Sequence, residues 1–317
     1  MCDFLRQSHA KRWCVSEWDL SSLHQVKSHN PEDMTVTLES GITLSTLQSI
    51  LGKQGQWLAI DPANPSSLSI HDLLAYNRSG PRRLRYGTIR ESTLGLQIAL
   101  SDGRLIKSGG QVVKNVAGYD LIKLFIGAQG SLGIITEATF KLLPLPEKST
   151  HAERSCSSIE EARLISKSVH ESRLTPAYFD ARSTTPDVDS ILLNLGFEGS
   201  VEEVDWQTEL ASEFGFRPVS NSAYFEEFCK RATEVGCHRK SVLPSTIWEW
   251  ITVAKPNPWL AHLGNGVLSV VERRTSSGAS DRNPHDSSSS SQSALKTVID
   301  RLKNSFDPHG ILPAIPV

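Results

Sequence analysis

The chain has 317 residues with 33 Lys and Arg against 35 Asp and Glu, a net charge of −2, which allows two separate cores and gives no reason to expect a nucleic-acid partner. No window holds the run of about eighteen apolar residues that a membrane span needs, and the start MCDFLRQSHAKRW lacks the apolar stretch of a secretory signal, so a cytoplasmic protein is expected. Cys2, Cys14, Cys156, Cys229 and Cys237 are odd in number and show no C-x-x-C spacing; free structural thiols are expected, with no metal site and no iron–sulfur cluster in this chain.

From Asp19 the sequence predicts a short strand, a turn at Asn30-Pro31, a second strand over Thr35 to Glu39 with period-two patterning, and an amphipathic helix from Thr43. Leu94 to Leu100 reads as a buried strand that Ser101-Asp102-Gly103 folds back onto Arg104 to Lys107, because Asp-Gly readily takes left-handed turn geometry. The cluster Arg82, Arg83 and Arg85 reads as a solvated face.

Gly109 to Pro146, GGQVVKNVAGYDLIKLFIGAQGSLGIITEATFKLLPLP, carries the densest pattern. Asn115, Ala117, Gly118 and Asp120 make a tight loop without large side chains, and Asp120 is placed to cap a helix over Leu121 to Ile126. Gly127, Gly130 and Gly133 follow at intervals of three before the β-branched run Ile134, Ile135, Thr136, which reads as a buried strand. Such glycines either make tight turns in a packed core or let main-chain N–H groups meet the phosphates and ring edges of a nucleotide. They lie between a helix and a strand, the reverse of the dinucleotide fingerprint, so nicotinamide binding of that kind is not expected.

Composition shifts at Glu147. Helix-like stretches (Ser158 to Glu171, Val201 to Phe214, Phe225 to Val235) alternate with strand-like ones (Tyr178 to Ala181, Ile191 to Phe197, Lys240 to Leu243, Val267 to Glu272), which predicts an antiparallel sheet with helices on one face, a ferredoxin-like α+β arrangement. Thr275 to Ser293 has no apolar anchor and reads as a flexible Ser-rich loop, and Ala294 to Asn304 as an amphipathic helix. The expected division is 1–146, 147–274, 275–293 and 294–317. Nothing has the spacing of a nucleophilic triad, so hydrolase chemistry has no support.

The run from Val112 to Pro146 resembles the FAD-binding, PCMH-type domain of the vanillyl-alcohol oxidase and p-cresol methylhydroxylase superfamily, and more narrowly the smaller flavin-binding subunit of bacterial glycolate oxidase. SGPRRLRYGTIRESTLGLQIALSDG at Ser79 to Gly103, HLGNGVL at His262 to Leu268 and LKNSFDPHGIL at Leu302 to Leu312 agree with it. The resemblance implies an α+β FAD-binding domain followed by a cap that covers the flavin ring and a tail that packs back on the first domain. It implies FAD held by Gly80, Tyr86, Gly87 and Arg90, by Val113, Asn115, Ala117, Gly118 and Tyr119, and by Gly130, Leu132, Gly133, Ile135 and Thr136. The implied substrate is a small, glycolate-like 2-hydroxy acid, and the implied partners are a larger flavoprotein subunit and an iron–sulfur subunit.

Flavin would supply the redox step, with an Arg on the substrate carboxylate and a base for its hydroxyl proton. His262, in His-Leu-Gly-Asn-Gly, is the candidate base; a structural histidine beside a turn is the alternative. The second histidine of the related element falls at Leu268-Ser269, so no metal is expected there. Two departures stand out. The family's first βαβ unit, with its Gly-rich phosphate loop, has no counterpart in the eighteen residues before Asp19, and the pair of glycines after the Ser/Thr-Ile element is His71-Asp72 here. A carboxylate beside a diphosphate is repulsive. The residues therefore support two readings, a flavin-dependent 2-hydroxyacid dehydrogenase subunit and a non-catalytic, flavin-poor assembly subunit.

Overall fold

The computed structural model describes residues 3, 5–7, 18–110, 121–183, 190–219, 222–234, 236–254, 257–271 and 289–315. Its first sheet begins with β1 (Val26–Asn30) and β2 (Thr35–Glu39), followed by α1 (Leu44–Gly52). The Thr43 hydroxyl accepts from the Thr46 amide and starts α1, and Leu44, Leu47 and Leu51, three and four residues apart, bury one face of it. β3 (Gln56–Trp57), α2 (Ile70–Ala75), α3 (Arg83–Tyr86) and α4 (Ile89–Ser92) lead to the hairpin of β4 (Thr93–Ala99) and β5 (Leu105–Gly109). α5 (Ile122–Phe125), β6 (Ile134–Lys141) and β7 (Leu143–Pro144) follow. The strands order as β1-β2-β6-β4-β5, with every pairing antiparallel. The expected turn at Asp102-Gly103 is there, with Gly103 at φ 77°.

The second sheet is built by β8 (Lys148–Cys156), α6 (Ile159–Glu171), β9 (Tyr178–Ser183), β10 (Ile191–Gly199), α7 (Val201–Glu213), β11 (Arg217–Val219), α8 (Ser222–Thr233), β12 (Cys237–Ser241), α9 (Ile247–Ala254), β13 (Trp259–His262) and β14 (Val267–Val271). It is antiparallel and ordered β11-β8-β10-β9-β13-β14-β12. Side chains alternate along a strand, so one face collects Phe179, Ala181, Leu193, Leu195, Ala261 and Leu268 into a core with α6, α7 and α9. The other face carries His151, Tyr178, Asp180, Asn194, Glu198 and His262, all buried.

The expected helices-on-sheet arrangement is present with differences. The strands β8, β11 and β13 and the helix α9 were not among the expected elements; β8 (KSTHAERSC) puts polar residues on the polar face and lacks an apolar alternation. α8 lies on the polar face and not with the other helices: its Tyr224 hydroxyl donates to Asp180, and Phe228 meets the His262 ring edge at 5.9 Å between centroids.

Two of the three arginines after Gly80, Arg82 and Arg85, are paired with acids of the second sheet's segment. Arg82 donates through Nε and Nη2 to the buried Glu198 at 2.7 and 2.6 Å, and its backbone amide donates to Asp61 at 3.1 Å. Arg85 pairs with Glu203 of α7 at 3.1 Å. These residues look charged and mobile in sequence, yet each spans from the first sheet's segment to an acid of the second. Burial pushes the Asp61 carboxyl up to about 8, against the pull of Arg82. Gly264 serves the same contact, since a Cβ there would overlap the Leu84 side chain.

The chain closes with α10 (Ser289–Phe306), which returns to the first sheet: Phe306 packs edge-on to Phe125 at 5.5 Å, and Ser101 Oγ donates to Phe306 O at 3.0 Å. Asp307, 2% exposed, accepts from the Ile311 and Leu312 amides at 2.9 and 2.8 Å and from Lys303 Nζ at 2.7 Å. Lys303 also donates to Ser131 O and Pro313 O, each at 2.8 Å. Asp307→Ala leaves two amides and an ammonium without their acceptor, and is expected to cost about 3–5 kcal/mol of unfolding free energy in urea titrations. A loss below about 1 kcal/mol would show that the tail contributes nothing to the fold.

Candidate functional site

The segment Pro62–Ser79 and the polar face of the second sheet enclose a cleft of about 540 Å³, within the usual range for a small-molecule site. Its walls include Asp72, Tyr76, Arg78 and Ser79 on one side and Arg239, His262 and Ser269 on the other. Strand register explains the second group. His262 pairs with Asp180 on β9, while Ser269 pairs with Leu260 on β13 and Arg239 on β12, so all of these side chains emerge on one face.

His262 is 4% exposed and lines the cleft. Its Nδ1 donates to Asp180 Oδ1 at 2.8 Å, and Asp180 also accepts from the Tyr224 hydroxyl. Burial, then the Asp180 charge, pushes the Tyr224 phenol well above its ordinary range, so it remains a donor. A carboxylate that takes Nδ1–H fixes the tautomer in which Nε2 carries the lone pair. Among the described residues this ring's hydrogen bond is made through Nδ1. No group of three or more potential metal ligands occurs among the described residues.

The other expected site residues lie elsewhere. Gly80 adjoins the cleft through Ser79, and a Cβ on it would overlap the Asp61 carbonyl. Tyr86 meets Trp57 edge-on at 5.4 Å, and Gly87 ends α3 at φ 78°. Arg90 Nη2 donates to Ile126 O at 2.7 Å and steadies the turn into Gly127. Gly130, Leu132, Gly133, Ile135 and Thr136 are buried, with Trp18 against Gly130 and the Thr136 hydroxyl donating to Gln97 O at 3.2 Å. Val113, Asn115, Ala117, Gly118 and Tyr119 lie outside the described residues. Sequence reasoning missed Asp180, Tyr224, Arg78 and Arg239. Asp180 is 82 positions from its histidine, and only the pairing of β9 with β13 brings the two together.

A nucleotide needs donors for its phosphates. The amides of Ile70, His71 and Asp72 at the start of α2 already donate to Ile42 O, Ser40 O and Ser69 Oγ. Those of Gly127, Gln129 and Ser131 donate to Leu74 O, Ala75 O and Ala128 O. The Asp72 carboxylate stands at the α2 terminus, held below its usual range by the His71 hydrogen bond despite the burial that opposes it. These particular amides are therefore not free for a phosphate. The ring side fits: a cleft of suitable volume, flanked by Tyr76 and Ser79, opens onto His262. His71 Nε2, buried without a partner, is one polar atom left for a ligand.

The family described as FAD binding domain matches residues 18–109. The chain is 38% identical over 148 residues to a probable mitochondrial D-lactate dehydrogenase of Danio rerio, covering 46% of this chain and 29% of that protein. It is 34% identical over 156 residues to glycolate oxidase subunit GlcD of Bacillus subtilis (strain 168), covering 49% and 33%. Against glycolate oxidase subunit GlcE of Escherichia coli (strain K12) it is 35% identical over 138 residues, covering 43% and 39%. The chain thus spans about a third of the length of the curated relatives it matches. A solved structure of alkyldihydroxyacetonephosphate synthase superposes on 98% of this chain and 73% of its own, with a TM-score of 0.73 and 16% identity, a likeness of fold. Residues 18–109 match the FAD-binding domain family, and the chain shares the fold of that synthase structure.

Proposed function

We propose that this chain is the FAD-binding part of an oxidoreductase that takes a hydride from the CH–OH carbon of a 2-hydroxy acid. One observation carries the reading: His262, its Nδ1 held by Asp180, lines a cleft that the segment matched to the FAD-binding family borders. The relatives named for D-lactate dehydrogenase and glycolate oxidase support the same chemistry. Residues 1–146 would form the flavin domain, 147–274 the cap and 294–317 a tail returning to the first. Larger flavoprotein and iron–sulfur subunits are the partners this reading calls for.

Flavin, when bound, accepts the hydride. The protein's own groups prepare the substrate. Arg239 can hold the carboxylate through two parallel N–H donors. His262 Nε2 takes the hydroxyl proton as the C–H bond breaks, and Asp180 steadies the imidazolium that forms. Phe228 against the imidazole keeps water from that side. Tyr76 and Ser79 would border the ring.

His262→Gln is expected to lower the rate of flavin bleaching by the accepted 2-hydroxy acid at least about 100-fold in anaerobic stopped flow, with flavin affinity unchanged. Bleaching at the parent rate would remove His262 from the chemistry. The engaged α2 amides and Asp72 favour the second reading, a chain that holds flavin weakly. Asp72→Asn keeps the cap and removes the charge, and should tighten FAD binding by about tenfold, or roughly 1.4 kcal/mol, in fluorescence titrations. Unchanged affinity would show that Asp72 does not face the phosphates.

A further inference from the structure

The hydrogen bond from Tyr224 to Asp180 joins α8 to the acid that holds His262, and the same helix is a wall of the cleft. Tyr224, Phe228 and Ala232 recur every four residues along α8, so they share one face. Phe228 and Ala232 line the cleft, and Phe228 also meets the His262 ring. Tyr224, one turn before Phe228, is fully buried with its hydroxyl on Asp180 Oδ2. Asp180 is 1% exposed and takes one donor on each oxygen: Tyr224 on Oδ2, and His262 Nδ1 on Oδ1 at 2.8 Å.

Tyr224 has little freedom of its own. Its ring stacks on Tyr178 at 5.1 Å between centroids and 2° between planes, and on His151 at 5.0 Å and 26°. Phe225 meets its edge at 5.1 Å and 70°. Gly196 makes room for this stack, because a Cβ there would overlap the Tyr178 ring. A phenylalanine at 224 would stack equally well, so the stack does not account for the hydroxyl. The hydroxyl of Tyr178 faces His151 Nδ1 at 2.9 Å, and the two phenols therefore serve different partners.

A buried carboxylate with one oxygen unanswered is costly, and it relieves that cost by turning about its Cβ–Cγ bond toward another donor. His262 then loses the anchor for its Nδ1–H, and with it the tautomer that leaves the lone pair on Nε2. Resting on the reading of His262 as the base of a 2-hydroxy-acid site, we infer that Tyr224 is a positioning residue: its hydroxyl pins Asp180 Oδ2 so that Oδ1 holds the imidazole. Through this bond α8 ties the placement of the cleft wall to the orientation of the base. Tyr224 acts through Asp180 alone.

The test is Tyr224→Phe in the full 317-residue chain, which keeps the stack and removes one donor. Nitrogen-15 NMR of histidine-labelled protein should show His262 of the variant as a mixture of both neutral tautomers, where the parent shows one. With FAD present, anaerobic flavin reduction by glycolate and by D-lactate should slow at least about tenfold at saturation, with the half-saturating concentration within about threefold of the parent's. Tyr178→Phe, which removes the neighbouring hydroxyl, should leave both readouts at their parental values. A Tyr224→Phe variant that keeps the single parental tautomer overturns the inference even where its melting temperature falls, because the hydroxyl would then serve stability alone. Equal disturbance of His262 by Tyr178→Phe also overturns it, since the stack and not the Tyr224 hydroxyl would set the ring. Should Tyr224→Phe fail to fold, the parent decides: its proton spectrum should hold a slowly exchanging, downfield Tyr224 hydroxyl signal, and a hydroxyl in fast exchange with water overturns the inference. Mixed tautomers with an unchanged rate, or a parent whose flavin neither acid reduces, uphold the positioning of His262 and count against its reading as the base.

Discussion

A sheet that buries Asp180, Asn194, Glu198, His151 and His262 on one face cannot be stable unless something on that face answers their charge and hydrogen-bonding needs. Part of the answer comes from outside the sheet. Arg82 reaches from the FAD-binding segment to Glu198, while Tyr224 of α8 reaches Asp180. His151 Nδ1 lies 2.9 Å from the Tyr178 hydroxyl. Leaving any one of these groups alone in a low-dielectric interior costs more than making the bond gains, so these contacts tie the second sheet to the Arg82 segment and to α8. It also leaves a cleft wherever the two sides do not meet, and that is where His262 opens.

The same constraint separates structural from chemical groups. Glu198 and Asp61 share Arg82 deep in the contact and have no access to a ligand. His262 and Arg239 sit at the end of the sheet where β13, β14 and β12 carry the polar face past the reach of Arg82. His262, Arg239 and the segment matched to the FAD-binding family then converge through strand register and not through sequence proximity.

Much of the first sheet was legible from the residues. The Asn30-Pro31 turn, the Thr43 cap and the Asp102-Gly103 hairpin are local signals, each with one backbone solution. The polar face was not legible, because KSTHAERSC looks like a loop until β10 supplies the partner that turns part of it inward, and β12 runs over Cys237–Ser241 where the strand was expected at Lys240 to Leu243. The Gly127–Ser131 loop was read as a possible ligand cradle, and its spacing is the same in either case. Only the donors' actual acceptors show that the Gly127 and Gln129 amides hold the loop against α2 through Leu74 O and Ala75 O, while the Ser131 amide closes a turn on Ala128 O. Asp180 within YFDARS carries no signal at all, since a carboxylate in a strand looks exposed until a histidine from another strand meets it.

The central claim is that Asp180 fixes His262 with its reactive nitrogen towards the cleft, and nitrogen-15 NMR of histidine-labelled protein tests it without any ligand. The neutral ring of His262 should show a protonated Nδ1 and a bare Nε2, and Asp180→Asn should disturb that tautomer while the fold is retained. A His262 that carries its proton on Nε2 in the parent protein would contradict the account, because that nitrogen could not then accept a proton from a substrate.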